Sequence, residues 1–229
     1  MNTRSKVMMW NTTAIILLLT GVALIAYPKW SEYNAEQQQL KLLTQWQHFK
    51  TDSQTSPLAT NDGTTKPSST ATTKTTPTTE ARQVPTVLMD GLAVYGVIAI
   101  DKIDMRGPMV AEATEQSLAQ GIGVVLPDRV PGGKGNFVLA GHRSWTYGKH
   151  FSRLDELTDG DKVTLETSEG TFVYKVNDSF LVEPDDLSVL ESSKDNDARE
   201  LTLITCEPMK NPTHRLIVKA QLESKPTSL

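Results

Sequence analysis

The sequence predicts a mainly-β domain that follows an apolar N-terminal helix, and two observations indicate this fold class. Short apolar segments rich in Val and Ile recur through the second half of the chain, with turn residues between them. Near the N-terminus, a continuously apolar stretch runs from Ala14 to Tyr27, interrupted only by one Thr and one Gly. Many short strands joined by turns favour a barrel or a sandwich over a parallel α/β sheet.

Residues 1–30 are predicted to form a cytoplasmic N-terminus and a transmembrane signal anchor. The apolar stretch and its flanks approach the roughly 20 residues that a membrane helix needs. Two cations precede it, and Trp10 and Trp30 bracket it as an aromatic belt would. A cleaved signal peptide is the alternative, but the residues after Ala26 are a poor cleavage context. We therefore expect a single-pass protein of the cell membrane, with its large C-terminal domain outside the cell.

Residues 31–85 are predicted to be a juxtamembrane stalk followed by a disordered linker. The stalk carries a moderate helical stripe formed by Leu40, Leu43, Trp46 and Phe49. From residue 51 to residue 85 the chain is low in complexity and rich in Thr, Ser and Pro, so it can bury little apolar surface. Residues 86–229 have a globular composition and are long enough for one domain with a sizeable core.

Alternation and turn residues place the elements of this domain in order. Strands are expected at Leu92–Ile100, Asn136–Ala140, Lys162–Thr167, Thr171–Val176, Leu201–Thr205 and Leu216–Leu222. Short helical stretches are expected at Thr114–Gln120, His150–Leu154 and Pro184–Leu190. Ser168, Glu169 and Gly170 separate two of these strands and predict a hairpin.

Net charge and cysteine content limit the classes of function that the protein can have. The net charge of −4 argues against a nucleic-acid surface. Cys206 is the only cysteine, so no internal disulfide can form. A lone thiol at the end of an apolar strand, just before a Pro-rich loop, is placed as an accessible nucleophile would be. A buried core cysteine is the alternative, because free cysteines are among the most buried residues.

Activation of a thiol near its ordinary pKa requires a base or a cation nearby. His142 follows a strand and a glycine, so the sequence presents its ring at a strand end. Of the other histidines, His48 lies in the stalk and His150 in an expected surface helix. Because adjacent residues of a strand point to opposite faces, His214 and Arg215 cannot serve the same pocket. The core face of that strand is expected to carry His214 together with Leu216, Val218, Ala220 and Leu222.

Three motifs together resemble the sortases, the membrane-anchored cysteine transpeptidases of Gram-positive bacteria. They are Ala140-Gly141-His142-Arg143, Thr202-Leu203-Ile204-Thr205-Cys206 and Thr213-His214-Arg215-Leu216-Ile217-Val218. The resemblance extends from about Val94 to Leu222, and it implies the eight-stranded sortase β-barrel. The order of anchor, linker and domain fits the same family independently.

The resemblance also implies roles for individual residues. Cys206 would be the nucleophile, His142 the general acid and base, and Arg215 the group that stabilises an oxyanion or the substrate backbone. Thr205 would assist at the oxyanion. The implied reaction cleaves an LPxTG-type sorting signal through a thioacyl intermediate, which an amine of lipid II or another peptidoglycan precursor resolves. A cysteine endopeptidase that hydrolyses the same signal, or a non-catalytic wall-binding β-domain, is the alternative.

The subclass is less sharply indicated. Arg143 after the histidine and the segment from Val182 to Leu187 resemble class A and class D sortases, and the ending Thr-His-Arg-Leu-Ile-Val favours class D. Some class A members respond to calcium through acidic loop residues. Here Glu112, Asp185 and Asp186 are acidic, but we interpret them as ordinary surface charges, and we expect no metal and no cofactor.

Overall fold

The computed structural model describes residues 3–55, 86–143, 149–195 and 197–227, which form two compact units, Met1–Lys41 and Leu42–Leu229. The described strands are β1 Val87–Met89, β2 Leu92–Ile100, β3 Met105–Val110, β4 Ile122–Val124, β5 Gly135–Ala140, β6 Lys162–Thr167, β7 Gly170–Val182, β8 Arg199–Glu207 and β9 His214–Thr227. The helices are α1 Thr3–Thr55 and α2 Glu115–Leu118, with single 3-10 turns at Asp101–Ile103, Leu154–Glu156 and Leu187–Leu190. Beyond residue 55, the predicted linker lies outside the described residues.

The first unit is helical and belongs to α1. Its apolar side chains between residues 15 and 25 are exposed, with accessible fractions from 56% at Val22 to 77% at Leu24. In the described part of the chain, no helix is both long enough and apolar enough to cross a membrane.

The second unit is built on a closed eight-stranded β-barrel, as the sequence predicts. The strands β2 to β9 follow one another in the order β2-β3-β4-β5-β8-β9-β7-β6, and β6 pairs with β2 to complete the circle. Most neighbours are antiparallel, but β3 with β4 and β5 with β8 are parallel. The short strand β1 adds to β2 outside the circle.

Closure of the barrel depends on Gly96. One stretch of β2 pairs with β1, the next pairs with β6, and the register of β2 against β3 shifts between Val94 and Gly96. A Cβ atom at Gly96 would collide with the carbonyl oxygen of Glu166 on β6. Only glycine lets the two backbones approach this closely.

The barrel interior is filled by a single apolar cluster to which each of the eight strands contributes. Alternation is clear along β8, where Leu201 and Leu203 belong to this cluster, and along β5, where Phe137 and Leu139 do. The core residues of β9 are Leu216, Val218 and Ala220, with Leu222 packed beside them, which confirms the core face predicted for that strand.

The sequence analysis did not predict three of the strands. In β3, Gly107 and Pro108 interrupt the strand pattern, although Pro108 is accommodated opposite Val97. The other two, β1 and β4, have three residues each, too few for an alternation to be recognised. The strands β7 and β9 are longer than predicted. After the polar residues 177–179, β7 continues to Val182, and Phe180 and Leu181 pair with Ile217 and Leu216 of β9.

A second apolar cluster joins the last turns of α1 to the outside of the barrel. Leu42 and Trp46 pack with Met89 of β1 and with Val94 and Val97 of β2, and each of the five is at most 5% exposed. The predicted helical stripe is therefore present in part, with Trp46 fully buried at its centre.

Replacing Trp46 should make the second unit less stable. We expect Trp46→Ala to lower the free energy of unfolding by about 3–5 kcal/mol, because a large buried side chain leaves a cavity. Leu88→Ala is the matched control, since Leu88 is 75% exposed and lies next to Met89 on β1. Chemical denaturation compares the two, and equal stability losses would contradict the packing role of Trp46.

Candidate active site

The three strands β5, β8 and β9 bring the predicted site residues to one end of the barrel. Ala140 of β5 is paired with Ile204 of β8 in parallel, and the amide of Gly141 donates to the Ile204 carbonyl over 3.0 Å. His142 follows Ala140 by two residues and Cys206 follows Ile204 by two residues, so both lie just beyond the last pair of this ladder. Cys206 is in turn directly paired with Arg215 of β9.

Strand alternation puts these residues on the outer face of the barrel. Thr205 and its partner Leu216 are buried, and Leu216 belongs to the interior cluster. The next pair, Cys206 and Arg215, must point the opposite way. Directly opposed antiparallel residues have Cβ atoms about 4.5–5.5 Å apart, within reach of a guanidinium and a thiol.

The site residues are accessible. Cys206 and Arg215 are partly exposed, and His142 is exposed. The alternative in which Cys206 is a fully buried core cysteine is therefore wrong. One amino group of Arg215 donates to the carbonyl of His214 over 3.3 Å, which leaves its other donors toward the outer face.

Thr205 joins two of the site-bearing strands. Its side chain is 2% exposed, and its hydroxyl donates to the carbonyl of Gly141 over 2.8 Å. The single hydroxyl proton is thus directed toward the segment that carries His142. Assistance at an oxyanion, which the family resemblance implies for Thr205, stays a prediction.

His214 lies on the other face, as the parity of β9 predicts. It is paired with Glu207 rather than with Cys206. Its Nδ1 atom is 2.8 Å from the hydroxyl of Thr213, and its Nε2 atom is 3.6 Å from a carboxylate oxygen of Glu183. His214 is therefore separated from the thiol by the strand itself.

The expectation of a surface helix around His150 is wrong. His150 forms an isolated antiparallel bridge with Arg143, has a positive φ of 49°, and is 4% exposed. Its ring meets the ring of His142 edge to face, with centroids 6.3 Å apart. The next residue, Phe151, donates its amide to the carbonyl of His142 over 3.1 Å. The segment after residue 148 thus contacts both the ring and the backbone of His142.

Burial keeps His150 uncharged. Loss of solvation is the largest cause that lowers its pKa, to about 4, and the charges of Lys149 and His142 lower it further. Its Nδ1 atom has no hydrogen-bond partner among the described residues. A neutral ring beside His142 does not oppose a positive charge there. No periodicity in the sequence signals this role, because His150 is buried where its backbone forms the bridge with Arg143.

Arg143 is the second residue near the site for which the sequence analysis predicted no role. Its side chain is only 7% exposed and forms ion pairs with Asp155 over 2.9 Å and with Glu207. Arg143 directly follows His142, and Glu207 directly follows Cys206. The described ion pairs thus include one that connects the segments carrying the two reactive side chains.

An apolar floor extends from the site along the outer face. Ile204 and Ile217 are a directly opposed pair, one step along the strands from Cys206 and Arg215. Further along, the connection between β7 and β8 covers this face. The carbonyl of Val189 accepts hydrogen bonds from Asn136 over 3.0 Å and from Lys219 over 2.8 Å.

The covering connection is held tightly. Asn136 is fully buried and also accepts a hydrogen bond from the hydroxyl of Thr202 over 2.7 Å. Burial lowers the pKa of Lys219, with an opposing effect from Glu200. The connection between β7 and β8 therefore bounds the floor on the side away from Cys206.

The acidic residues considered for calcium form no cluster in this structure. Within the described ranges, no group of three or more His, Cys, Asp or Glu side chains is arranged to hold a metal ion. Asp186 accepts a hydrogen bond from the amide of Ser188 over 2.9 Å and caps the 3-10 turn Leu187–Leu190.

Comparison with known proteins agrees with this barrel and this arrangement of residues. The sortase domain model matches residues 98–223, which include all the motifs described above. Sortase A of Bacillus anthracis is 28% identical over 95% of this chain and 96% of its own length. Sortase D of Bacillus subtilis is 33% identical over 49% of this chain and 54% of its own length.

Solved structures give the same answer for the fold. A Clostridium perfringens sortase D5 transpeptidase superimposes with a TM-score of 0.51 at 31% identity, over 57% of this chain and 79% of that one. Sortase A of Listeria monocytogenes superimposes with a TM-score of 0.55 at 27% identity, over 59% of this chain and 90% of that one.

A closed eight-stranded barrel with a thiol, an imidazole and a guanidinium at one end defines a cysteine transpeptidase of the sortase type. The chain belongs to the sortase family. Its members are cysteine transpeptidases that attach surface proteins to the cell wall. The predicted cysteine transpeptidase is thereby confirmed as a reaction class, over the non-catalytic alternative, and the roles of Cys206, His142 and Arg215 stay predictions.

The buried His150 makes stability depend on pH. Its pKa of about 4 in the folded state is below its ordinary value of 6.5, so the unfolded chain binds the proton more tightly. The free energy of unfolding should therefore fall as the pH drops from 6.5 toward 4, by on the order of 3 kcal/mol from this residue.

The test measures the free energy of unfolding in urea at pH 7 and at pH 4 and compares its fall between variants. In His150→Phe the fall should be smaller than in the wild type by about that amount, because phenylalanine fills the space and does not titrate. His48→Gln is the control, since His48 is exposed on α1. The same fall in all three proteins would exclude His150 as the titrating group.

Proposed function

We propose that this enzyme cleaves an LPxTG-type sorting signal and transfers the released carboxyl end of a surface protein to an amine of a peptidoglycan precursor such as lipid II. The observation that carries the proposal is the strand register, in which Cys206 is opposed to Arg215, and His142 follows the last β5–β8 pair by two residues. The three sortase motifs supply the substrate class.

The first half of the reaction is acylation. The thiolate of Cys206 attacks the carbonyl carbon of the scissile Thr–Gly bond, and a sulfur–carbon bond forms. The guanidinium of Arg215 donates to the oxygen that becomes negative, since its planar group stays charged and presents fixed donors. His142, as imidazolium, gives its proton to the leaving nitrogen when the carbon–nitrogen bond breaks.

The second half restores the enzyme. The acceptor amine attacks the thioester carbonyl, His142 removes a proton from the attacking nitrogen, and Cys206 leaves as the thiolate. The exposure of His142 supports this proposal, because a ring open to the outer face can meet first one amine and then another. Thr205, tied to Gly141, is proposed to hold the two strand ends together and to assist at the oxyanion through its position next to the nucleophile.

The substrate is proposed to lie along the apolar floor. Ile204 is partly exposed beside the thiol, its partner Ile217 is fully buried, and the connection held by Asn136 and Lys219 bounds this face. An extended peptide that covers this surface also excludes water from the thioester, which favours an amine acceptor over hydrolysis.

We further propose that the chain is anchored in the cell membrane through its first 30 residues, with the catalytic domain outside the cell. The support is the apolar stretch from Ala14 to Tyr27 and the aromatic residues that flank it. In this arrangement residues 31–85 give the domain reach toward wall precursors. Matching proteins of classes A and D do not decide the subclass, and class D or class A stays a prediction.

Substitutions at the thiol and the guanidinium test the assigned roles. Cys206→Ala should lower kcat/KM on an LPxTG peptide by about a thousandfold or more, because no other nucleophile is at hand. Arg215→Lys should lower it roughly a hundredfold, because a point charge does not replace a planar fork. Arg106→Lys is the control, since Arg106 pairs with Glu166 instead. Near-normal turnover in Arg215→Lys would remove Arg215 from the mechanism.

Product partition separates transpeptidation from hydrolysis. Adding triglycine to the enzyme and an LPxTG peptide should shift the product from the free acid to the amide as the triglycine concentration rises. The shift follows because both nucleophiles compete for one thioester. Mass spectrometry measures the ratio of the two products. A ratio that never changes would favour an endopeptidase with the same site.

A further inference from the structure

A buried guanidinium links the two segments that carry the reactive side chains. Arg143 is only 7% exposed, one amino group lies 2.9 Å from an oxygen of Asp155, and the other pairs with Glu207. Taking a charged side chain out of water is costly unless it is paired. Both carboxylates are therefore needed where they are, and each comes from a different part of the fold.

We propose that Arg143 is a positioning residue that fixes the separation of His142 from Cys206 through its pairs with Glu207 and Asp155. The inference rests on the proposed function, in which His142 and Cys206 act on one bond. Arg143 itself does not touch the substrate.

The backbone leaves this separation incompletely defined. The strand β5 ends at Ala140, and the described ladder to β8 ends with the bond from Gly141 to Ile204. Beyond that bond, the amide of Phe151 holds the carbonyl of His142 from the other side. A cross-link between residues 143 and 207 supplies the connection just where the ladder stops.

Asp155 ties the same guanidinium to the barrel core. It lies in the 3-10 turn Leu154–Glu156, and its neighbour Leu154 is fully buried in the interior cluster. A planar group held at two points by two carboxylates resists rotation, whereas a lysine at this position could reach only one of them at a time. Arg143 therefore connects the base, the nucleophile and the rigid core.

A purely electrostatic role predicts something different, and the two roles can be separated. Removing the charge of Arg143 makes the surroundings of Cys206 more negative, whereas removing the charge of Glu207 makes them more positive. If only charge matters, the two changes act on the thiolate in opposite directions. If position matters, both changes lower kcat, because each breaks the same link.

The experiment measures kcat and KM on an LPxTG peptide for Arg143→Gln, Glu207→Gln and Asp155→Asn. It also measures the pH dependence of Cys206 alkylation by iodoacetamide and the Tm of each variant. We expect kcat to fall roughly ten- to a hundredfold in Arg143→Gln and in Glu207→Gln, with KM within about twofold, since small misplacements of reacting groups cost about this much. Asp155→Asn should have a smaller effect in the same direction.

The chain offers a closely matched control. Glu156 is the neighbour of Asp155 in the same turn, but its carboxylate pairs with Arg153 over 2.6 Å instead of with Arg143. Glu156→Gln removes one negative charge from this turn without touching the link, so it should keep wild-type kcat. If Arg143→Gln lowers Tm strongly, the two carboxylate variants decide the question.

The possible results separate this inference from the proposed function. The inference is overturned if Glu207→Gln matches Glu156→Gln in kcat, or if Arg143→Gln and Glu207→Gln change kcat in opposite directions. In either case inactive Cys206→Ala leaves the proposed function standing. Retained activity in Cys206→Ala would overturn both.

Discussion

The register of β5, β8 and β9 is the constraint on which the rest of the site depends. The parallel pairing of β5 with β8 brings His142 to the same end of the barrel as Cys206, and the antiparallel pairing of β8 with β9 sets Arg215 opposite the thiol. Since side chains alternate along a strand, a shift of one residue in either pairing would turn one of these groups into the core. The apolar interior face opposes such a shift, because Leu203, Leu216 and Leu139 would have to leave the core.

Closure of the barrel protects this register. The pairing of β2 with β6 removes the last free edges of the circle, and it requires the close backbone approach at Gly96. The outer cluster around Trp46 covers β1 and the first part of β2. The far side of the barrel is thus held by packing, while the end that carries the site is held by hydrogen bonds and ion pairs. This division leaves the predicted site residues accessible on a rigid support.

Two ionisable side chains are buried near the site, and they differ in whether they have a charged partner. His150 is kept neutral beside His142, whereas the buried side chain of Arg143 pairs with two carboxylates. Neither residue belongs to the predicted reactive set, yet both contact the segment that carries His142. The proposed reaction needs its reacting groups at fixed separations, and contacts of this kind restrict how the segment that carries His142 can move.

The sequence by itself determined the fold class, the core face of β9 and the family, and it predicted which residues react. Those conclusions depend on local alternation and on short motifs, and both can be recognised from residues that are close together in the sequence. The tertiary structure alone decided the placement of His150 and Arg143 and the existence of β1, β3 and β4. His150 is buried where its backbone forms the bridge with Arg143, and the partners of Arg143 lie 12 and 64 residues away along the chain. No periodicity encodes such contacts, because they form only when distant segments of the barrel meet.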